Sequence, residues 1–202
     1  DPEMSRGLGD VYKRQIVGLG RFGMALAIDL AESGSEIIAL DSNEEKVQAI
    51  REYTENAFIV KNLEKKTLIE TGIQNCDVAI VCIGEHMDTS ILTTLNLVSM
   101  GIPKVISKAM SSEHGVILKK LGAEIVFPEK DMAVRLASRL ETERMLDFVQ
   151  LSEKINVSKM NVPDKMIDKS VEEVNLRKHF GLNIIAIENN ENVNDVISPK
   201  YI

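Results

Sequence analysis

The sequence lacks the features that mark several broad classes of protein. No apolar run approaches the roughly 18 residues that would suggest a membrane span, and the first residues have no apolar stretch of the signal-peptide kind. A link to a membrane is therefore expected only through another protein. Basic charge is in deficit: 24 Lys and Arg against 31 Asp and Glu leave a formal net charge of -7. That balance argues against nucleic acid or anionic lipid as a direct partner, because both demand a clustered basic surface. Cysteine is scarce. Cys76 and Cys82 are the only two, and neither has metal-ligand or CxxC spacing. Cys82 falls inside an apolar strand pattern, where a buried free thiol is the expected state; such usage fits a reducing cytoplasm. The three histidines, His86, His114 and His179, have no partners at metal or triad spacing and are expected in surface or capping roles.

What the chain does have is apolar material, 44% of 202 residues, enough for one full domain and a small second one. The organising stretch is Gly18-Leu19-Gly20-Arg21-Phe22-Gly23. It follows a short apolar run and opens a helical pattern through Ala25, Leu26, Ala27, Ile28 and Leu30, which reads as strand, glycine turn and helix start. In GxGxxG spacing one glycine permits the tight turn, one lets the backbone approach a pyrophosphate, and one allows close helix-strand packing, with the anion at the helix N-terminus. The next apolar run, Ile37-Ile38-Ala39-Leu40, ends in Asp41, an acid at the distance expected for gripping a ribose diol.

From there the segments alternate. Helices are predicted over 22–33, from Ser42-Asn43 through Tyr53, and over 64–71, 87–100 and 113–121. Strands are predicted over 36–41, 57–60, 78–83, 104–109 and 124–127. With the strand before Gly18, six strands joined by helical crossovers predict a Rossmann-like α/β fold, a doubly wound parallel sheet covered on both faces. Residues 1–14 show no period and are expected to be a leader outside the fold, leaving Val11 and Tyr12 to complete a short first strand. Ligands of such sheets bind beyond the carboxyl ends of the strands. Those ends supply Gly18 to Gly23, Asp41 to Asn43, Lys61-Asn62, Gly84-Glu85-His86, Ser107-Lys108 and Pro128-Glu129. A helix from Glu129 to about Met145, with Met132, Leu136 and Leu140 on one stripe, closes a first domain of residues 15–146. Residues 147–202 read as a small β-β-α-β module with a helix near 171–180 and a strand over 182–187.

The ordered set GLGRFG, ALDSNEEKV, AIVCIGE, VISKA and KKLGAEIVFPEKDMAVRLA resembles the cytosolic potassium-conductance regulators, the RCK or KTN domains of Trk and Ktr transporters. The tail NVPDKMIDKSVEEVNLRKHFGLNIIAI resembles the C-terminal RCK module of the same proteins, here expected to be incomplete. The resemblance implies a regulatory subunit that is not an enzyme. It would bind ATP, ADP or NAD(H) and gate a membrane potassium transporter subunit, as dimers assembled into an octameric ring at the inner face of the plasma membrane. It also implies site roles. Gly18, Gly20 and Gly23 would cradle phosphates, with Phe22, Gly84 and Glu85 lining the site. Asp41 would hold the ribose, Asn43 and Asn62 would lie near the adenosine, and Arg21 would reach the terminal phosphate of ATP on a neighbouring subunit. Lys108 and Glu129 would lie near the polyphosphate, Glu129 joining a Mg²⁺ or Ca²⁺ site; a carboxylate is tolerable there if a divalent cation lies between. Arg177, Asn183, Ile184 and Pro199 match positions that bind cyclic di-AMP in some members. Asn62 departs from the Asp that many relatives carry.

Each of these residues also has a plainer reading. The glycines could form a ligand-free helix start, Asp41 could be a capping acid, and Arg21 a solvated first-turn residue. Lys108 and Glu129 could be a surface pair, and Arg177 and Asn183 structural. Two other functions compete. A nicotinamide-dependent oxidoreductase would have only about 50 residues from which to build a substrate pocket and a catalytic acid or base. A nucleotide-sensing transcription regulator would need a basic recognition segment that is missing.

Overall fold

The computed structural model describes residues 13–141, 145–152, 155–189 and 192–194. Two compact units divide between Lys130 and Asp131. The first is an α/β sandwich. Its strands β1 (Lys13–Val17), β2 (Glu36–Asp41), β3 (Ala57–Ile59), β4 (Val78–Val81), β5 (Lys104–Lys108) and β6 (Glu124–Val126) form one sheet in the order β3-β2-β1-β4-β5-β6. Every neighbouring pair is parallel. This is the doubly wound Rossmann order, in which crossovers reverse direction between β1 and β4 and leave a crevice at their carboxyl ends.

The strands read as continuous apolar runs because both of their faces are buried. Ile16, Ile37, Ala39 and Ile80 pack on one side with Ala27, Val47 and Ile50 from helices α1 (Arg21–Glu32) and α2 (Glu44–Ile50). Val17, Ile38, Leu40, Ala79 and Val81 pack on the other with Leu68 and Leu97, from α3 (Lys65–Glu70) and α4 (Met87–Ser99). Adjacent strand residues thus serve opposite cores, as the two-residue period of a strand requires. Helix α5 (Ser112–Lys120) follows β5, and α6 (Pro128–Glu141) follows β6.

Several boundaries differ from expectation. β1 begins at Lys13, so Lys13 and Arg14 belong to the fold rather than to a leader. The Lys13 amide donates to Asp77 Oδ2 at 3.0 Å, and its ammonium pairs with Glu36 at 3.2 Å. These contacts tie the start of β1 to its surroundings; Val11 and Tyr12, expected to complete the strand, lie outside the described residues. The first unit ends at Lys130 rather than 146. Residues 131–137 of α6 are exposed throughout, Met132 and Leu136 of its apolar stripe included.

The second unit contains the antiparallel pair β7 (Met145–Ser152) and β8 (Ile155–Met160), short helices α7 (Val171–Val174) and α8 (Leu176–Phe180), and the hairpin β9 (Ile187–Asn189) with β10 (Asn192–Asn194). The single helix expected near 171–180 is broken by Asn175, whose φ of +45° is left-handed backbone. The expected strand over 182–187 starts only at Ile187, where β10 offers ladder partners. Leu182 and Ile185 ahead of it are exposed. Among the described residues this run has no neighbouring strand to pair with.

Candidate nucleotide site

The crevice between β1 and β4 is closed by the glycine turn. Gly18 leaves β1 at φ +98°, a conformation that favours glycine, and its amide donates to the Leu40 carbonyl at 2.8 Å. A Cβ on Gly18 would lie 3.2 Å from the carbonyl carbon of Cys82, and one on Gly23 would fall 2.0 Å from the Gly18 carbonyl oxygen. Gly23 therefore lets α1 pack directly on the turn. Gly20 is different in kind. It caps α1 with ordinary extended backbone, and a Cβ there would meet no protein atom within 4 Å. Among the described residues no contact demands glycine at this position. The α1 N-terminus beside it has no side-chain cap and no acid in its first turn, so its amides and positive dipole end suit an anion. Phe22 packs against the core on the α1 side. Beneath the turn, burial pushes the Cys82 thiol up to about 12.

Asp41 ends β2 and reaches back over this turn. Its Oδ2 accepts the Leu19 amide at 2.6 Å, and Oδ1 accepts the Asn43 amide at 2.8 Å. Lys46 Nζ stands 4.0 Å away, and the Asp41 side chain is only 10% exposed. Each carboxylate oxygen keeps a further lone pair, so a ribose diol could be held without breaking either bond. Asn43 and Asn62 are engaged locally. Asn43 Oδ1 caps α2 through the Lys46 amide at 3.1 Å, and Asn62 Oδ1 accepts from the Glu64 amide at 3.2 Å and the Thr67 hydroxyl at 2.7 Å.

A second cluster assembles from three further strand ends. Lys108, the last residue of β5, is 8% exposed, and its ammonium donates to Glu129 Oε1 at 2.5 Å. The pair is not a surface pair on the lysine side. Glu129, near the start of α6, is mostly exposed. The Lys108 hydrogen bond holds its carboxyl below the usual carboxylate range, and the Arg21 guanidinium adds to the effect from α1. A methyl on Gly84, in the turn after β4, would lie 3.6 Å from Lys108 Nζ and 3.4 Å from Met110 Sδ. Glu85 follows in the same turn and is exposed. Arg21, Gly84, Lys108 and Glu129 thus lie around one end of the crevice. Among the described residues no three His, Cys, Asp or Glu side chains gather as a metal site. A divalent cation beside Glu129 would need other ligands, such as phosphate oxygens.

In the second unit, Arg177 of α8 and Asn183 are exposed and Ile184 is half-buried; Pro199 lies outside the described residues. His86 and His179 are exposed, whereas His114 is fully buried, contrary to a surface role. The site roles expected above omit the Leu19 backbone amide and the Met110–His114 pair. The spacing Ser111-x-x-His114 resembles a capping box with His in place of Glu or Gln, and was the available signal.

Residues 15–129 match the TrkA-N domain family, and the chain belongs to it. The chain is 36% identical over 189 residues to Ktr system potassium uptake protein A of Bacillus subtilis (strain 168), covering 92% of this chain and 85% of that protein. It is 35% identical over 185 residues to Ktr system potassium uptake protein C of the same organism, covering 91% and 83%. The fold matches that of the GsuK channel bound to NAD, with a TM-score of 0.55 and 22% identity over 95% of this chain and 34% of that one. It also matches GsuK bound to ADP, with a TM-score of 0.52 and 24% identity over 64% and 34%. No helix among the described residues is long and apolar enough to cross a membrane.

Proposed function

We propose that this chain is a nucleotide-sensing regulatory subunit of a membrane potassium uptake system. The observation that carries the binding half of this reading is the contrast between Gly23, blocked by backbone at 2.0 Å, and Gly20, which faces open space beside an uncapped helix end. A phosphate at that position gives Gly20 its reason. The potassium half rests on the relatives, two potassium uptake proteins that the chain matches over 85% and 83% of their length.

The ligand in this reading is ATP, ADP or NAD(H). Phosphates lie on the turn of Gly18, Gly20 and Gly23, the ribose on Asp41, and the far end meets Lys108 and Arg21. Glu129 shares a Mg²⁺ or Ca²⁺ ion with the phosphates once Lys108 turns to them. The subunit works as dimers in a ring at the inner face of the membrane, with cyclic di-AMP as a second ligand of the C-terminal unit through Arg177, Asn183, Ile184 and Pro199. Regulation breaks no bond. It needs only a nucleotide whose affinity differs between two assembly states.

Calorimetry of the purified chain with ATP, ADP and NADH, paired with X-ray scattering, tests the proposal. ATP and ADP are expected to bind and to give different scattering profiles. A folded protein that binds none of the three would overturn the reading, and so would turnover of a nicotinamide cofactor at enzyme-like rates.

A further inference from the structure

His114 sits in the first turn of α5 with no exposed surface. Its backbone amide donates to the Ser111 hydroxyl at 3.2 Å, and its Nδ1 accepts the Met110 amide at 3.3 Å. Ser111 and His114 therefore brace the turn at 109–111 from both sides. That turn follows directly on Lys108. It also sets the Met110 thioether beside Gly84, in contact range of any methyl placed there. Across the turn the Ala109 amide donates to the Val126 carbonyl at 2.9 Å. With Nδ1 accepting, the neutral ring carries its proton on Nε2, a buried atom without a hydrogen-bond partner.

We infer that His114 is a positioning residue for the Lys108 end of the nucleotide site: its neutral imidazole holds the Met110 amide, and protonation releases that turn. The inference rests on the nucleotide reading above. Its physics is a donor-acceptor conflict. A protonated ring presents N–H at both nitrogens, so Nδ1 would point a donor at the Met110 donor, inside a space that also excludes water. The bond must break, and the charge must find solvent.

The surroundings do nothing to ease that charge. The packed elements carry Asp88 on α4, Lys104 and Lys108 on β5, Glu124 on β6, and Glu113, Lys119 and Lys120 on α5 itself. Lys104 is paired with Glu124 at 2.9 Å and Lys108 with Glu129. Burial lowers the His114 pKa from the ordinary 6.5. In the window below 6.5 the unfolded chain takes up a proton that the folded ring refuses. The bond is thus intact above and within that window and is lost only as pH falls through the folded value.

The test compares wild type with His114→Asn, whose Oδ1 can accept the Met110 amide but cannot titrate. ATP affinity is measured at about pH 7.5 and at a pH below the folded value of the His114 ring, which an NMR titration of the folded protein locates first. The terminal phosphate of ATP itself takes up a proton on acidification, so the quantity that matters is the difference between the two proteins. Wild type is expected to lose about threefold to tenfold more ATP affinity on acidification than the variant, as for one weakened hydrogen-bonded contact. His114→Phe, which fills the space without an acceptor, should be weakened at both pH values. Equal pH slopes in wild type and His114→Asn would overturn the inference.

A ligand-free measurement separates this failure from failure of the nucleotide reading. Amide exchange in the 108–111 segment, normalised for intrinsic rates, should lose protection in step with titration of the His114 ring. Protection that stays constant through that titration would also overturn the inference, whether or not any nucleotide binds.

Discussion

The Asp41 carboxylate and the Leu19 amide are joined at 2.6 Å, so the acid that ends β2 is a working part of the glycine turn. Asp41→Asn replaces one of two charged acceptors with a donor group. Hydrogen bonds to charged groups contribute about 1.5–3 kcal/mol, and stability should fall by about 1–2 kcal/mol on that scale. Adenine-nucleotide affinity should fall by about tenfold or more, since the turn and the ribose contact fail together. Denaturant melts and calorimetry read the two effects. A stability loss with unchanged affinity would leave Asp41 as a capping acid alone.

Gly20 and Gly23 should separate binding from folding. Gly23→Ala puts a methyl 2.0 Å from the Gly18 carbonyl oxygen. Backbone must move, at a cost of about 1–3 kcal/mol or more. Gly20→Ala meets nothing among the described residues and should cost no more than about 1 kcal/mol as an N-cap change. Its methyl would nevertheless occupy the approach to the turn, and nucleotide affinity should drop sharply. Normal binding by a stable Gly20→Ala protein would remove the phosphate from that position.

The Lys108–Glu129 pair predicts a pH effect of definite sign. Lys108 lowers the Glu129 pKa from its ordinary 4.5, so the pair's contribution is present above that value and is lost as pH falls through the folded value. Glu129 is largely exposed, and Glu129→Gln should cost no more than about 1 kcal/mol at neutral pH. The gap between wild type and Glu129→Gln in urea midpoint should shrink on acidification. A gap that widens would show that the carboxylate is not the stabilised form.

Arg21→Ala should weaken ATP binding more than ADP binding, because its proposed target is the terminal phosphate. The residue is exposed at the start of α1 and acts on Glu129 through space. Titrations of both nucleotides against wild type and variant decide the matter. Equal losses for the two would reject that role.

Much of the first unit was legible in the residues because its strands are buried on both faces. Runs such as Glu36–Asp41 and Val78–Val81 are nearly all apolar, and the helices between them begin and end at recognisable caps such as Asn43 and Ser111. The second unit was harder to read. Several of its apolar residues, including Ile155, Leu182 and Ile185, are exposed. A run of apolar residues signals a strand only when another strand lies beside it, which composition cannot report.

The same division runs through the site. Sequence alone determined the glycine spacing, the acid at the end of β2 and the alternation that makes a doubly wound sheet, because these are local properties of the backbone and its side-chain period. Tertiary structure decided which glycine faces open space and which is pinned against backbone. It buried Lys108 against a carboxylate 21 positions away. It also turned His114 inward onto Met110. Each of these depends on what the folded chain brings within a few ångströms, where excluded volume and the loss of water set the energies.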